Sequence, residues 1–326
     1  MRLYFTGATG FVGSGFLKVA LEHHSATCFA ACNRTTPKPK DNLSFGKIDL
    51  TSKQDVLESV QAFQPDAIIH LAFEGNFPKI YADRDMAWHT YVTTTRNLVD
   101  AANAANAKML LISTDWVFDG TQTDATERTP VNPINLYGVL KVICETIVQE
   151  RAHNGAIARI AGLFGVQWER DDWQPAPNAG FGYLPNAVVK AFEQTEAFQL
   201  PLDDSVNQFA TPTLTTDAAE MVMKIVQQDK QGVFHCVGGE GVGKLELCKL
   251  TAEVFGYDPS KVTTISPDPH DPANLPSIPV PKDTRLNCKA TANALGHTPP
   301  NVKTALELFK QQYQTHALET HALERN

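Results

Sequence analysis

Thr6-Gly7-Ala8-Thr9-Gly10-Phe11-Val12-Gly13 follows a strand-like run, Arg2 to Thr6, in which Leu3 and Phe5 are apolar. It opens a helical pattern running from Phe11 to about Glu22. Strand, tight turn and helix therefore succeed one another. Glycine bends to positive φ without steric cost and lets a ligand approach the backbone. At a helix N-terminus, unpaired N–H groups and the helix dipole favour an anion, so the turn reads as a cradle for a pyrophosphate. The spacing is Gly-x-x-Gly-x-x-Gly, not the commoner Gly-x-Gly-x-x-Gly, and a plain structural turn is the alternative. Its place after the first strand gives the match its weight. The candidate cofactor contacts here are Gly7, Thr9, Gly10, Phe11, Val12 and Gly13.

About twenty residues past Gly13, where a second strand should end, the chain reads Ala30-Ala31-Cys32-Asn33-Arg34-Thr35. A carboxylate at this place would bind a ribose 2′-hydroxyl and repel a 2′-phosphate. Here Asn33 and Arg34 stand instead, with Lys38 and Lys40 close behind, and a guanidinium pairs with phosphate in fork geometry. The expected cofactor is NADP(H); a solvated basic loop is the alternative.

Tyr137-Gly138-Val139-Leu140-Lys141 sets a tyrosine four residues before a lysine, on one helix face. The ammonium is expected to favour the phenolate and bring an ordinary phenol pKa of about 10 nearer neutrality. Such a pair suits proton transfer beside a nicotinamide that moves a hydride. Alone it is a weak signal, since most Tyr-x-x-x-Lys pairs lie on surface helices. With the glycine turn upstream and Ser113-Thr114-Asp115 between the two, the functional reading prevails.

Strand-like and amphipathic segments alternate through the first half, the pattern of a parallel sheet wrapped by helices. Strands are expected near residues 2–6, 26–32, 45–48, 66–71, 107–113 and 156–161. Thr51-Ser52-Lys53-Gln54 has the form of a capping box. One long helix is expected from about Tyr81 to Ala105, and another over Tyr137–Arg151. Residues from Phe164 to Asn178, with Trp168, Trp173, Pro175 and Pro177, read as a loop, and residues 257–283 as irregular. Thr315-His316-Ala317-Leu318-Glu319 is repeated immediately, with its histidines five apart, which suits a terminal helix better than a metal site.

The chain has 326 residues and a formal net charge of −8, with charged residues at 20%. That balance argues against a nucleic-acid or anionic-membrane surface. No apolar run approaches the ~18 residues of a membrane span, and Met1-Arg2 leads straight into the first strand. The six cysteines, at 28, 32, 144, 236, 248 and 288, show no metal-ligand spacing. Cys28 and Cys32 would lie about 13 Å apart along one strand, too far for a disulfide. A cytoplasmic protein without a metal is expected.

Together these residues resemble an extended short-chain dehydrogenase/reductase over nearly the full chain, closest to the dTDP-4-dehydrorhamnose reductase-like group. The markers are Ser113-Thr114-Asp115-Trp116-Val117-Phe118-Asp119-Gly120, Thr129-Pro130-Val131-Asn132-Pro133, Asp204 through Gln208, Thr211-Pro212-Thr213 and Arg285-Leu286-Asn287. The resemblance implies an α/β fold, a Rossmann-type doubly wound parallel sheet with a smaller C-terminal α/β substrate domain. Residues 1–163, rejoined by about 206–236, would bind the dinucleotide; 164–205 and 237–326 would form the smaller domain. It also implies NADPH-dependent reduction of a carbonyl, on a sugar-nucleotide-like 4-keto substrate. Thr114 would hold the carbonyl oxygen, Tyr137 would protonate it, and Lys141 would bind the nicotinamide ribose. Asp49 and Leu50 would meet the adenine, and Leu71, Ala72 and Phe73 would line the cofactor; the alternatives are a helix cap for Asp49 and strand core for Leu71 and Ala72. Asp115, Trp116, Gln208 and Arg285 are the substrate candidates. A homodimer is left open.

Departures from the group's pattern cluster near the expected substrate: Phe73, Tyr91, Trp116 and Leu140 stand where alanine, asparagine, tyrosine and serine are usual. They suggest a substrate wall rebuilt with bulky side chains. Net-acidic Glu169-Arg170-Asp171-Asp172, in the expected substrate loop, sits poorly with a diphosphate; Lys190, Lys282 and Arg285 are the cations left to meet one. Two other functions therefore stay open: a non-catalytic regulatory subunit like the methionine adenosyltransferase β subunit, which the same group includes, and a sugar-nucleotide epimerase. A dehydratase is weaker, because Trp116 stands where that chemistry needs a glutamate.

Overall fold

Leu3 and Phe5 of β1 (Arg2–Thr6) pack into one apolar layer and Tyr4 into the opposite one, the alternation of a strand buried on both faces. The computed structural model describes residues 1–173, 182–201, 208–266 and 278–323. After β1 come α1 (Phe11–Glu22), β2 (Thr27–Cys32), β3 (Leu43–Lys47), α2 (Lys53–Phe63) and β4 (Ala67–His70). Three short helices, α3 (Phe77–Ala82), α4 (Arg84–Trp88) and α5 (Thr94–Ala104), lead to β5 (Lys108–Thr114), then α6 (Leu136–Arg151) and β6 (Gly155–Ile160).

One parallel sheet holds these strands in the order β6-β5-β4-β1-β2-β3, and the Gly232–His235 strand pairs outside β6. This is the doubly wound Rossmann-type sheet expected from the sequence. Strand order reverses between β1 and β4, so a crevice opens at the carboxyl ends of these two strands. One face is covered by α1 and α8 (Thr215–Gln227) through Phe16, Leu17, Val19, Met221, Val222 and Ile225. Gly15 is what lets them meet: a Cβ there would lie 2.5 Å from Thr215 Cγ2. The other face is covered by α2, α5 and α6 through Val56, Val60, Leu98, Cys144 and Val148.

A third apolar cluster joins α7 (Leu184–Thr195), α9 (Lys244–Phe255) and α10 (Val302–Leu323) around Val188, Leu247, Leu306 and Phe309. Beside it the Phe198–Pro201 and Val262–Ile265 strands pair in parallel. All six cysteines are buried and unpaired, as the strand spacing predicts for Cys28 and Cys32.

Two local expectations need correction. The cap of α2 is Ser52, not Thr51: Ser52 Oγ accepts from Asp55 N at 3.3 Å and donates to Asp55 Oδ1 at 2.8 Å, while Gln54 turns to Glu58. The long helix expected over 81–105 runs from Arg84 to Ala104, starting after a break at Asp83 and carrying a π-helical stretch. Asp83 caps α4, and His89–Thr93 winds as a π-helix between α4 and α5. The threonines supply the cause, since Thr90, Thr94 and Thr95 hydroxyls bond the carbonyls of Met86, Thr90 and Tyr91 and compete with the regular ladder. Pro175, Pro177, Asp204 to Asn207, the 267–277 part of the proline-rich stretch and the side chains of the second terminal repeat lie outside the described residues. Among the described residues, no helix is long and apolar enough to cross a membrane.

Candidate active site

The glycine turn is as tight as its spacing suggests. Gly7 has a φ of +73°, and a Cβ there would lie 2.8 Å from Ala72 N; one at Gly13 would lie 2.0 Å from Gly7 O. Gly10 caps α1 with no side-chain hydrogen bond and no acid follows in the first turn, so its N–H groups face the crevice unneutralised. Thr6 Oγ1 accepts from Leu71 N at 3.2 Å and Ala72 N at 3.1 Å, fastening the β4 loop to the turn.

From here a cleft of roughly 680 Å³ runs along the ends of β1, β2 and β4. Gly7, Thr9, Asn33, Arg34, Asp49, Leu50, Ala72 and Phe73 all line it. Gly10, Gly13 and Leu71 shape the turn behind it, and Val12 packs against the α1 core. Phe11 is buried, stacked on Trp173 at 4.6 Å and edge-on to Tyr183 at 4.7 Å, so its side chain is packing. Asp49 is both lining and local brace: its Oδ1 accepts from Thr51 N at 2.9 Å and Thr51 Oγ1 at 2.7 Å, bonds that hold its carboxyl below the usual range. The donor set fits a dinucleotide: a cradle with no room for a Cβ, an open helix start and a cation rather than a carboxylate at the end of β2.

Lys38 and Lys40 do not face this cleft as their nearness to Arg34 suggests. Lys38 Nζ pairs with Asp171 at 2.8 Å, Lys38 N donates to Glu169 at 2.7 Å, and Lys40 pairs with the same Glu169 carboxylate. Glu169 and Asp171 are thus tied to the loop after β2, and Arg170 lines the cleft.

Beyond Phe73 lies the reacting constellation. β5 ends at Thr114, whose buried side chain donates to Asp115 Oδ1 at 3.0 Å and accepts from Trp116 N at 3.2 Å. Tyr137, in the first turn of α6, lies beside Thr114. Gly138 is required beside it, because a Cβ there would lie 2.3 Å from Trp116 O. Lys141 is buried, donates to Ile112 O at 2.9 Å and sits 3.0 Å from the centre of the Phe73 ring.

The electrostatics differ from the simple expectation. Burial holds the Tyr137 phenol above its usual value, with the neighbouring Thr114 hydroxyl offsetting it in part. Burial also brings Lys141 down to about 7. The ammonium is aimed at Ile112 O and Phe73 and lies 6.0 Å from the Tyr137 ring centre, so it does not pull the phenol toward neutrality. Asp115, buried beside Thr114 and Thr284, is pushed up to about 6 by burial.

Of the four departures, Leu140 and Tyr91 are buried in the core rather than lining a pocket, and the Tyr91 hydroxyl is spent on Glu74 O at 2.5 Å. Trp116 is different. It stacks on Phe77 at 5.4 Å and meets the Tyr137 ring edge-on at 5.9 Å. Phe77 also lies 5.2 Å from Tyr137, a contact that sequence reasoning missed because α3 carries no motif. Gln208 and Arg285 gather elsewhere on the rim: Gln208 lines a second cleft with Phe209 and Lys244, and Arg285 pairs with Asp283 and lies over the Phe209 ring at 5.0 Å. Lys282, a further expected cation, gives its carbonyl to Gln208 N at 2.7 Å.

Comparison with known proteins agrees with this architecture. The family described as RmlD substrate binding domain matches residues 1–315. Methionine adenosyltransferase 2 subunit beta of Mus musculus is 27% identical over 292 residues, covering 88% of this chain and 80% of that protein. A dTDP-4-keto-6-deoxy-D-glucose reductase of Streptomyces niveus is 24% identical over 269 residues, covering 82% and 83%. A dTDP-4-dehydrorhamnose reductase of Bacillus anthracis, solved in complex with NADP, superposes with a TM-score of 0.75 at 22% identity, covering 94% of this chain and 96% of that one.

Proposed function

This chain belongs to the RmlD substrate binding domain family, a reductase-like group of extended short-chain dehydrogenases, and we propose that it reduces a carbonyl group with NADPH. The observation that carries this reading is the grouping of Thr114 at the end of β5, Tyr137 in the first turn of α6 and buried Lys141 one turn further on, beyond Phe73 of the dinucleotide-shaped cleft.

NADPH, when bound, supplies the hydride. Thr114 fixes the carbonyl oxygen beside the phenol, and Tyr137 donates its proton as negative charge develops on that oxygen. Burial suits this direction of reaction, because it keeps the phenol protonated until the oxygen needs the proton. Lys141, held by Ile112 O one turn along α6 from Tyr137, would bind the nicotinamide ribose. Trp116 and Phe77 offer a flat apolar wall to the substrate, and Asp115 accepts from its hydroxyls. With Glu169 and Asp171 paired to lysines, a 4-keto sugar nucleotide is the leading substrate class. In this reading residues 1–163 with about 206–236 hold the cofactor, and the remainder holds the substrate.

One observation favours a second reading, a nucleotide-binding regulatory subunit. Phe73 covers the Lys141 ammonium where a smaller residue would leave it open, and the methionine adenosyltransferase relatives match over most of the chain. The two readings part on turnover. Purified protein is mixed with NADPH and a panel of dTDP- and UDP-linked 4-keto sugars and simple ketones, and NADPH absorbance is followed. Reduction is expected for at least one 4-keto sugar nucleotide, with label from deuterated NADPH found at the former carbonyl carbon. Tight NADPH binding with no oxidation across the panel would reject the reductase and leave the regulatory subunit.

A further inference from the structure

Residues 167–173 cross the glycine turn as a strap made of side-chain contacts. Gln167 Nε2 donates to Thr9 O at 3.3 Å, Trp168 N donates to Ser14 Oγ at 3.2 Å, and Lys18 Nζ lies 4.1 Å from the centre of a Trp168 ring. Trp173 stacks on Phe11 at the start of α1. Between these anchors Glu169, its side chain fully buried, receives Lys38 N and Lys40 Nζ from the loop after β2. A carboxylate so deeply buried holds its place only when charge and hydrogen bonds are matched, so this latch fixes the strap's position tightly. Its neighbour Arg170 is thereby carried to the lip of the cleft that Arg34 also lines. The Arg170 guanidinium is partly exposed and paired with Asp172, 76% exposed, at 3.0 Å. An exposed pair of this kind contributes little and yields readily to a stronger anion.

We propose that Arg170 is the second cation of the 2′-phosphate site, brought to the cleft that Arg34 lines by the strap and its Glu169 latch. The proposal rests on the NADP(H) reading and deepens it. Two guanidiniums on one cleft would share the 2′-phosphate dianion, a group absent from 5′-AMP and NADH. The carrier of the second is about 130 residues from the β2 loop, so the acidic run serves cofactor choice by occupying Lys38 and Lys40 while presenting Arg170.

Calorimetry with 2′,5′-ADP and 5′-AMP isolates the phosphate, on wild type, Arg34→Ala, Arg170→Ala and Arg170→Lys, with thermal unfolding to confirm each fold. Arg170→Ala is expected to weaken 2′,5′-ADP by roughly tenfold to a hundredfold, the range of one charge-assisted contact, and to leave 5′-AMP unchanged. Arg170→Lys should restore part of the loss. If Arg34→Ala loses the preference while Arg170→Ala keeps wild-type affinity for 2′,5′-ADP, the proposal is overturned and the NADP(H) reading stands. If wild type binds both nucleotides equally, both fail together. Equal weakening of the two nucleotides by Arg170→Ala would assign Arg170 to strap stability and likewise overturn it.

Discussion

Trp116 and Lys141 show how much a single side chain's surroundings decide. Trp116 is 8% exposed, yet it joins none of the four buried apolar clusters among the described residues and touches Phe77 and Tyr137 instead. Removing a core tryptophan costs about 3–5 kcal/mol. Trp116→Ala is expected to cost less than that by chemical denaturation and to act mainly on KM and substrate choice, whereas Trp116→Tyr should fold normally. A full core-sized loss for the alanine, with unchanged substrate kinetics for the tyrosine, would make the ring packing. Lys141 carries a pH signature. Its pKa is about 7 in the folded protein and 10.5 in the unfolded chain, so between these values the unfolded chain binds more protons and folding stability rises with pH. Wild type should therefore gain stability relative to Lys141→Met from pH 7 to 9 in urea titrations. Parallel pH profiles would mean that the lysine is not held in its low-pKa state.

At the scale of elements, what the sequence made legible was local, and what it hid was long-range. The turn from Thr6 to Gly13 and the helix from Phe11 to Glu22 are found where the glycines and apolar spacing put them, because strand, turn and helix cues are read within a dozen residues. The π-helical stretch within the helix expected over 81–105 was not legible, because it depends on which carbonyls Thr90, Thr94 and Thr95 select. Lys38 and Lys40 were misread for a related reason: proximity to Arg34 in sequence said nothing of Glu169. Phe77 carried no signal, since an aromatic two residues after Gly75 has no pattern to mark it. The glycine turn supports a sharp prediction. Gly13→Ala puts a methyl 2.0 Å from Gly7 O, whereas Gly75→Ala meets nothing within 4 Å. The first should cost about 1–3 kcal/mol or more and weaken NADPH binding; the second should stay within about 0.5 kcal/mol of wild type. Equal melting temperatures and equal NADPH affinities for the two variants would refute the close-packed cradle.

For the whole molecule, one sheet brings the two halves of the chemistry to its carboxyl edge. β1, β2 and β4 end at the cleft, and β5 ends one strand further along at Thr114, where α6 begins with Tyr137. The fold class was readable, and so were the places of Thr114, Tyr137 and Lys141, because each lies at a strand end or on one helix face. The surroundings that tune them, Phe73 over Lys141 and Phe77 against Tyr137, arise from loop packing and needed the three-dimensional structure. Tyr137 is the point on which the account turns. Tyr137→Phe keeps the ring among Phe77, Tyr91 and Trp116 and removes only the hydroxyl. Turnover on the best carbonyl substrate, measured beside NADPH affinity and melting temperature, tests it directly. The account predicts a fall in kcat of roughly 10²–10⁴ with affinity and melting temperature nearly unchanged; a variant that turns over as fast as wild type would contradict it.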